Sequence, residues 1–291
     1  MTPTGLTADE IDADPLALLP ASPIAVVSVE ARSLYASGSA GAQLASLSEQ
    51  LVPLGDEAGF RASRDVDRVV AGSYAAGGTD VAAVVTGRFD EAKIRQAADA
   101  HAQTQGPGAL VKSTYAKRDV YAIGDAAFTI LTPKTALAGT QSGLRRALDR
   151  IRDGHPKREL PAWAEQTMGT PNAVATLSAD LNEPVAAAAI ATLPGSGWAK
   201  GAGKIAATAT LDPAGAHVAA RVTYADAASA ESGARSLRRM GAMANLVALT
   251  GITPRLEGFD VRTAGADVQC SFAVDDRALQ MLLSQLAKHA H

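Results

Sequence analysis

Only one cysteine, Cys270, occurs among the 291 residues. The chain therefore forms no internal disulfide and offers no cysteine-based zinc cage. The neighbours of Cys270, Asp267-Val-Gln-Cys-Ser-Phe-Ala-Val274, alternate as a β-strand does, which makes it a small buried hydrophobe and not a catalytic thiol. Aromatic residues are scarce at 4%, and alanine takes much of their place. Helices built this way are thin, lie close to a sheet and leave little bulk to line a roomy cavity. Strong charge of either sign is also missing. With 27 basic and 30 acidic residues the net charge is -3, so nothing global pulls the chain toward nucleic acid or an anionic membrane. An apolar fraction of 47% against 20% charged is that of a globular protein, long enough for two domains of about 150 residues.

A long hydrophobic run is absent as well. The nearest approach is Asp14-Pro-Leu-Ala-Leu-Leu-Pro-Ala-Ser-Pro-Ile-Ala-Val-Val-Ser-Val-Glu-Ala31. Pro15, Pro20 and Pro23 interrupt it, and Asp9, Glu10, Asp12 and Asp14 replace the basic flank of a secretory segment. It falls short of the ~20 apolar residues of a spanning helix. Pro20 and Pro23 hold an extended lead-in, and Ile24–Glu30 reads as a β-strand.

What is present is a repeated order of elements. A helix with the ridge Leu44, Leu47, Leu51 and Leu54 precedes two strands, Val66–Tyr74 and Val81–Thr86, with Gly77-Gly78 at the turn. Asp90 caps a helix from Glu91 to about Gln103 with Ile94, Ala97 and Ala98 inward, ended by Gly106-Pro107-Gly108. Strands near 110–115, 119–123 and 127–131 lead to a helix at 141–152. After Gly154–Pro161 the order begins again: a strand at 172–180, a helix at 184–193 and a hairpin of 204–211 with 217–224. A long helix capped by Asp226 and stopped by Gly251 and Pro254 comes next, then a hairpin of 257–262 with 267–274. A last helix is capped by Asp275 or Asp276 and carries Leu279, Leu282, Leu283 and Leu286. The expected fold is α+β: tandem-duplicated strand–helix–hairpin–helix–hairpin–helix units, with antiparallel or mixed sheets and helices on one face. The expected domains are a lead at 1–19, a first repeat at 20–153, a connector at 154–171 and a second repeat at 172–291.

Catalytic motifs fail on inspection. Gly195-Ser-Gly-Trp-Ala-Lys-Gly-Ala-Gly-Lys204 resembles a phosphate loop, but Trp198 and Ile205 break the pattern and a strand follows it; it reads as a flexible connector. Gly139-Thr-Gln-Ser-Gly143 opens a helix, with Thr140 as an ordinary cap. His101, His155, His217, His289 and His291 form no metal-binding pair. No nucleophile elbow or Ser-x-x-Lys occurs, and the pairs Asp65/Asp67 and Asp275/Asp276 read as caps and turns. No cofactor motif is found. Two sets of residues remain as candidates for binding. Arg145, Arg146, Arg150 and Arg152, with Lys157 and Arg158, form the densest basic cluster, read as a solvated helix face or a contact for an acidic partner or lipid headgroups. Without interleaved aromatics it is no platform for single-stranded nucleic acid. Leu237, Met240, Met243 and Val247 line the inner face of the long helix, where methionines adapt to an apolar guest.

The Leu-Pro-Ala entry into Ile-Ala-Val-Val-Ser-Val, with Val85-Thr-Gly-Arg-Phe-Asp90 later, resembles uncharacterised bacterial cell-envelope proteins and lipoproteins over residues 14–150. The resemblance implies an exported, often lipid-anchored protein with no assigned activity, and transfers no functional residue. The sequence thus points to a non-enzymatic binding or scaffold protein of the bacterial envelope, bound to a protein or an apolar small molecule. The alternatives are a carrier of lipid between sheet and helices, and a hydrolase of unrecognised type. Removal of a leader implies a periplasmic or outer-envelope location; otherwise the location is cytoplasmic.

Overall fold

In a computed structural model the chain is described over residues 5–51, 54, 56–74, 80–103, 109–155, 157–192, 195–212, 214–248 and 255–281. It is an α+β protein that divides into two compact units. The first is Met1–Arg32 with Ser48–Pro161, and the second is Ser33–Leu47 with Ala162–His291.

In the first unit, helix α1 (Ala8–Ala13) opens on a reciprocal cap. The Glu10 amide donates to Thr7 Oγ1 at 3.3 Å and the Thr7 amide donates to Glu10 at 2.8 Å, closing two otherwise orphaned donors. A 3-10 turn at Pro15–Leu18 buries Leu16, Ala17 and Leu18 before strand β1 (Ala25–Val29). The Asp14–Ala31 segment thus holds the expected strand, with a 3-10 turn ahead of it. Among the described residues no helix is long and apolar enough to cross a membrane.

Helices α2 (Ala31–Tyr35) and α3 (Gly38–Leu51) come next in the chain, most of their residues belonging to the second unit, and α4 (Ala62–Asp65) then precedes the hairpin of β2 (Val66–Tyr74) and β3 (Asp80–Gly87). Helix α5 (Glu91–Ala102), strands β4 (Val111–Tyr115), β5 (Arg118–Ile123), β6 (Ala126–Ile130) and β7 (Thr135–Thr140), and helix α6 (Gln141–Arg152) complete the unit. Its strands lie in the order β1-β2-β3-β7-β6-β5-β4, and each neighbouring pair is antiparallel. The caps fall where the sequence places them. Asp90 receives the Lys93 amide at 3.2 Å and Thr140 receives the Gly143 amide at 3.2 Å.

Two features of this unit differ from expectation. Strand β7, pairing with both β3 and β6, lies in a stretch that lacks the β-branched alternation of its neighbours. Helices also cover both faces of the sheet, where one was expected. Val85 and Ala136, paired across β3 and β7, pack with Ile94 and Ala97 of α5. The opposite face carries Asp80 and, across the β2–β3 pair, Tyr74. Both meet Arg146 of α6. The cause is visible in β3, whose consecutive Ala82, Ala83 and Val84 are all buried, as happens when a strand is covered on both sides.

In the second unit, helix α7 (Ala162–Met168) is followed by strand β8 (Ala175–Asp180), helix α8 (Pro184–Ala191) and a 3-10 turn at Ser196–Ala199. Strands β9 (Ala202–Asp212) and β10 (Gly215–Tyr224), helix α9 (Ala227–Ala248), and strands β11 (Glu257–Ala264) and β12 (Asp267–Asp275) follow. A further helix is described over 276–281, with Asp275 accepting the Ala278 amide at 2.7 Å. The strand order is β8-β9-β10-β12-β11. Helix α7 lies inside the stretch read as a connector; its turn of Ala162-Trp-Ala-Glu-Gln-Thr-Met168 follows Pro161 and is too short to show a helical period. The Gly195–Lys204 segment is not a plain loop. It holds the 3-10 turn and the start of β9, and the Tyr224 hydroxyl donates to the Trp198 carbonyl at 2.6 Å.

Helix α9 buries a stripe of Ala230, Gly233, Ala234, Leu237 and Gly241. The small residues set how near the helix comes. A Cβ at Gly233 would lie 2.0 Å from the Tyr224 hydroxyl, and one at Gly241 would lie 2.3 Å from the Phe259 ring. Four strands, β4 to β7, follow α5 in the first unit, and two, β11 and β12, follow α9 in the second. The expected turn at Gly77-Gly78, the stops at 106–108 and at Gly251 and Pro254, Leu282, Leu283, Leu286, His289 and His291 lie outside the described residues, as does the side chain of Leu51.

Candidate functional site

Strand alternation sorts the second unit's sheet into two chemically unlike faces. Toward α9 point Val222, Val268 and Cys270, all buried. The other face is built from their neighbours in sequence. Register places Ala206, Arg221, Gln269 and Arg262 side by side across β9, β10, β12 and β11, and Thr208, Ala219, Ser271 and Asp260 in the adjoining row. Helix α7 packs on β8 and β9, where Thr176 and Ser178 are buried, and its Trp163, Gln166 and Thr167 form one wall. The result is an open groove of about 760 Å³, within the range of small-ligand sites.

The groove offers polar groups with unused capacity. The Arg262 guanidinium pairs with Asp260 at 2.6 Å, and Thr223 donates to Asp267 at 2.7 Å. Among the described residues, the side chains of Arg221, Lys204, Gln166, Gln269 and Ser271 have no intramolecular hydrogen bond or ion pair. Asp260, Lys204, Arg221 and Arg262 line the groove, and Asp180 and Asp267 lie in the Lys204–Thr223 row at its end. Beneath them burial, with the Asp260 charge, pushes the Cys270 thiol up to about 11, so it is protonated at neutral pH and a poor nucleophile.

The residues singled out from sequence lie elsewhere. Leu237 is buried in the α9 stripe. Met240 is half-buried, its side chain 3.2 Å from where a Cβ of Gly195 would stand. Met243 and Val247 are 59% and 40% exposed. These four therefore do not converge on one cavity.

The four arginines of α6 are all engaged within the first unit. Arg145 stacks 5.5 Å from the Tyr115 ring centroid. Arg146 lies 4.4 Å over Tyr74 and 3.1 Å from Asp80. Arg150, 8% exposed, donates to the carbonyls of Ala17 and Lys157 at 2.7 and 2.6 Å and to Glu159 at 2.8 Å. Arg152 pairs with Asp149 and Asp153 at 2.7 and 2.8 Å.

His101 contacts Glu57 at 2.7 Å and His217 contacts Asp212 at 3.0 Å. No group of three metal-ligating side chains occurs among the described residues. Asp65 pairs with Arg64, and Asp67 with Arg32. The groove residues escaped the sequence reading because no motif marks them. Their only signal is a polar or small residue at every second position, as in Lys204, Ala206, Thr208 and Thr210, a pattern shared by any solvated strand face.

No protein-family model and no curated protein matches the sequence. In structure the chain is similar to TP0453 in several crystal forms. Form I aligns with a TM-score of 0.55 at 9% identity, over 94% of this chain and 97% of that one. Form III gives 0.57 at 11% identity, over 94% and 98%. Form IV gives 0.53 at 10% identity, over 94% and 96%. The likeness is one of fold.

Proposed function

We propose that this is a non-enzymatic binding protein of the bacterial cell envelope, holding its ligand on the open face of the second unit's sheet. One observation carries the reading: Arg221 and Lys204 stand without intramolecular partners in a groove of about 760 Å³ that is flanked by Trp163. The groove's lining acid, Asp260, is tied to Arg262, and the Cys270 thiol is buried on the other face of the sheet, which suits recognition better than bond-breaking. The envelope location rests on the resemblance of residues 14–150 to bacterial envelope proteins.

The test is a glycan and peptide array probed with the full chain and with Ala219→Trp, which fills the middle of the exposed face. Signals that vanish in the variant while its melting temperature holds support the reading. An array without such signals, or turnover of a bound compound, overturns it.

A further inference from the structure

Resting on that reading, we infer that the groove's ligand is an acidic oligosaccharide, anchored through its carboxylates by Arg221. Three features of the face lead there. The first is charge. Of the acids on this face, Asp260 is occupied by Arg262 at 2.6 Å and Asp267 accepts from Thr223 at 2.7 Å, while Asp180 and Thr223 flank Lys204 in register. The guanidinium left without an intramolecular partner is that of Arg221, between Ala206 and Gln269 in register. A planar guanidinium with all its donors free matches a carboxylate in bidentate fashion.

The second feature is hydrogen-bonding capacity. Gln166, Gln269 and Ser271 each present an unengaged side-chain amide or hydroxyl around Arg221. Amides and hydroxyls both donate and accept, as the hydroxyl groups of a sugar require. The Asp260 carboxylate adds an acceptor beside Ser271, its partner in register.

The third feature is shape. The face has no apolar side-chain pocket of the kind that anchors a peptide. Apart from Trp163, its outward apolar side chains are Ala206 and Ala219. A flat face with one indole at its edge suits a pyranose ring, whose C–H side lies against the aromatic plane. Arg221 and Arg262 sit on strands separated by β12, two strand spacings or about 10 Å apart. That separation favours an extended chain bearing charges at intervals over a single small anion.

The experiment uses the full chain with Trp198→Phe. Trp163 is then the sole tryptophan, since the sequence holds two. Trigalacturonate, neutral galactotriose and a short poly-glutamate are titrated against its emission and by calorimetry. The expected result is binding of trigalacturonate at least ~10-fold tighter than galactotriose. Arg221→Ala should lose at least ~10-fold and Arg221→Lys less, because only arginine offers the paired donors. Affinity should also fall as salt rises from about 50 to about 500 mM. Arg221 is exposed, so the variants fold, and unchanged melting temperatures verify it.

Equal affinity for the acidic and neutral sugars overturns the inference. So does poly-glutamate binding that depends on Arg221 while trigalacturonate fails to bind. Silence of all three probes also overturns it, and if array ligands sensitive to Ala219→Trp persist, the binding face itself stands. Absence of any such ligand removes the reading beneath it.

Discussion

The guanidinium of Arg146 lies 4.4 Å above the ring of Tyr74. From there it reaches to 3.1 Å from Asp80, which is 7% exposed and also accepts the hydroxyls of Thr140 (2.9 Å) and Ser142. Helix α6 is thereby tied to β2 and β3 through a cation held between an aromatic face and a carboxylate. Burial lifts the phenol of Tyr74 well above its usual range, against the pull of Arg146.

Acid should loosen this tie. Burial acts to raise the Asp80 carboxyl, but hydrogen bonds from Ser142 and Thr140 and the Arg146 charge outweigh it, leaving the pKa below the ordinary value. A carboxyl depressed by folding stabilises fully above its unfolded pKa of about 3.9 and loses that contribution as pH falls through the folded value. Asp80→Asn is expected to cost about 2–4 kcal/mol at pH 7 and clearly less below both values. Urea unfolding across that window measures it, and a cost independent of pH contradicts the account.

Gly233→Ala should destabilise, although helix propensity alone favours alanine by about 1 kcal/mol. The new methyl would meet the Tyr224 hydroxyl at 2.0 Å and force it from the Trp198 carbonyl. A loss of about 2 kcal/mol or more is expected from overpacking and the broken bond. A raised melting temperature would show that α9 is not held as close as described.

Two residues of α9 should respond in opposite ways. Leu237→Ala opens a cavity in the buried stripe and is expected to cost about 2–5 kcal/mol. Met243→Ser, at a site 59% exposed, should stay within about 0.5 kcal/mol. Denaturant midpoints of the two variants give the comparison, and similar losses would mean that Met243 has a buried partner.

The Cys270 thiol, pushed up to about 11 by burial and by Asp260, should resist a thiol-reactive dye in the native protein at pH 8. It should react promptly once urea unfolds the chain. Fast native labelling would place the sulfur on the solvent side of β12.

Most of the elements were legible from caps and periodicity. Asp90, Thr140 and Asp275 sit at helix starts because their short side chains reach amides near in sequence. Such signals are local. What was illegible depends on partners remote in the chain. Nothing around Arg150 announces that it binds the Ala17 carbonyl, so a cluster that reads as solvated includes a buried structural cation. The turn joining β4 and β5 uses Ala116 and Lys117 at φ of 49° and 64°, positions where glycine or asparagine is the usual mark. The groove is illegible for the same reason. Arg221 becomes a neighbour of Gln269 and Arg262 only through strand register, and each strand alone shows an ordinary wet side.

The glycines and alanines along α9 carry one more consequence. At Gly233 and Gly241 the helix backbone rests on the rings of Tyr224 and Phe259, which leaves those side chains no room to swing aside. A greasy guest would have to pry the whole rod from the sheet, breaking the Tyr224 tether and wetting Val222 and Val268 before gaining any contact of its own. The ligand proposed for the second unit therefore belongs on the opposite face of its sheet, beside Arg221.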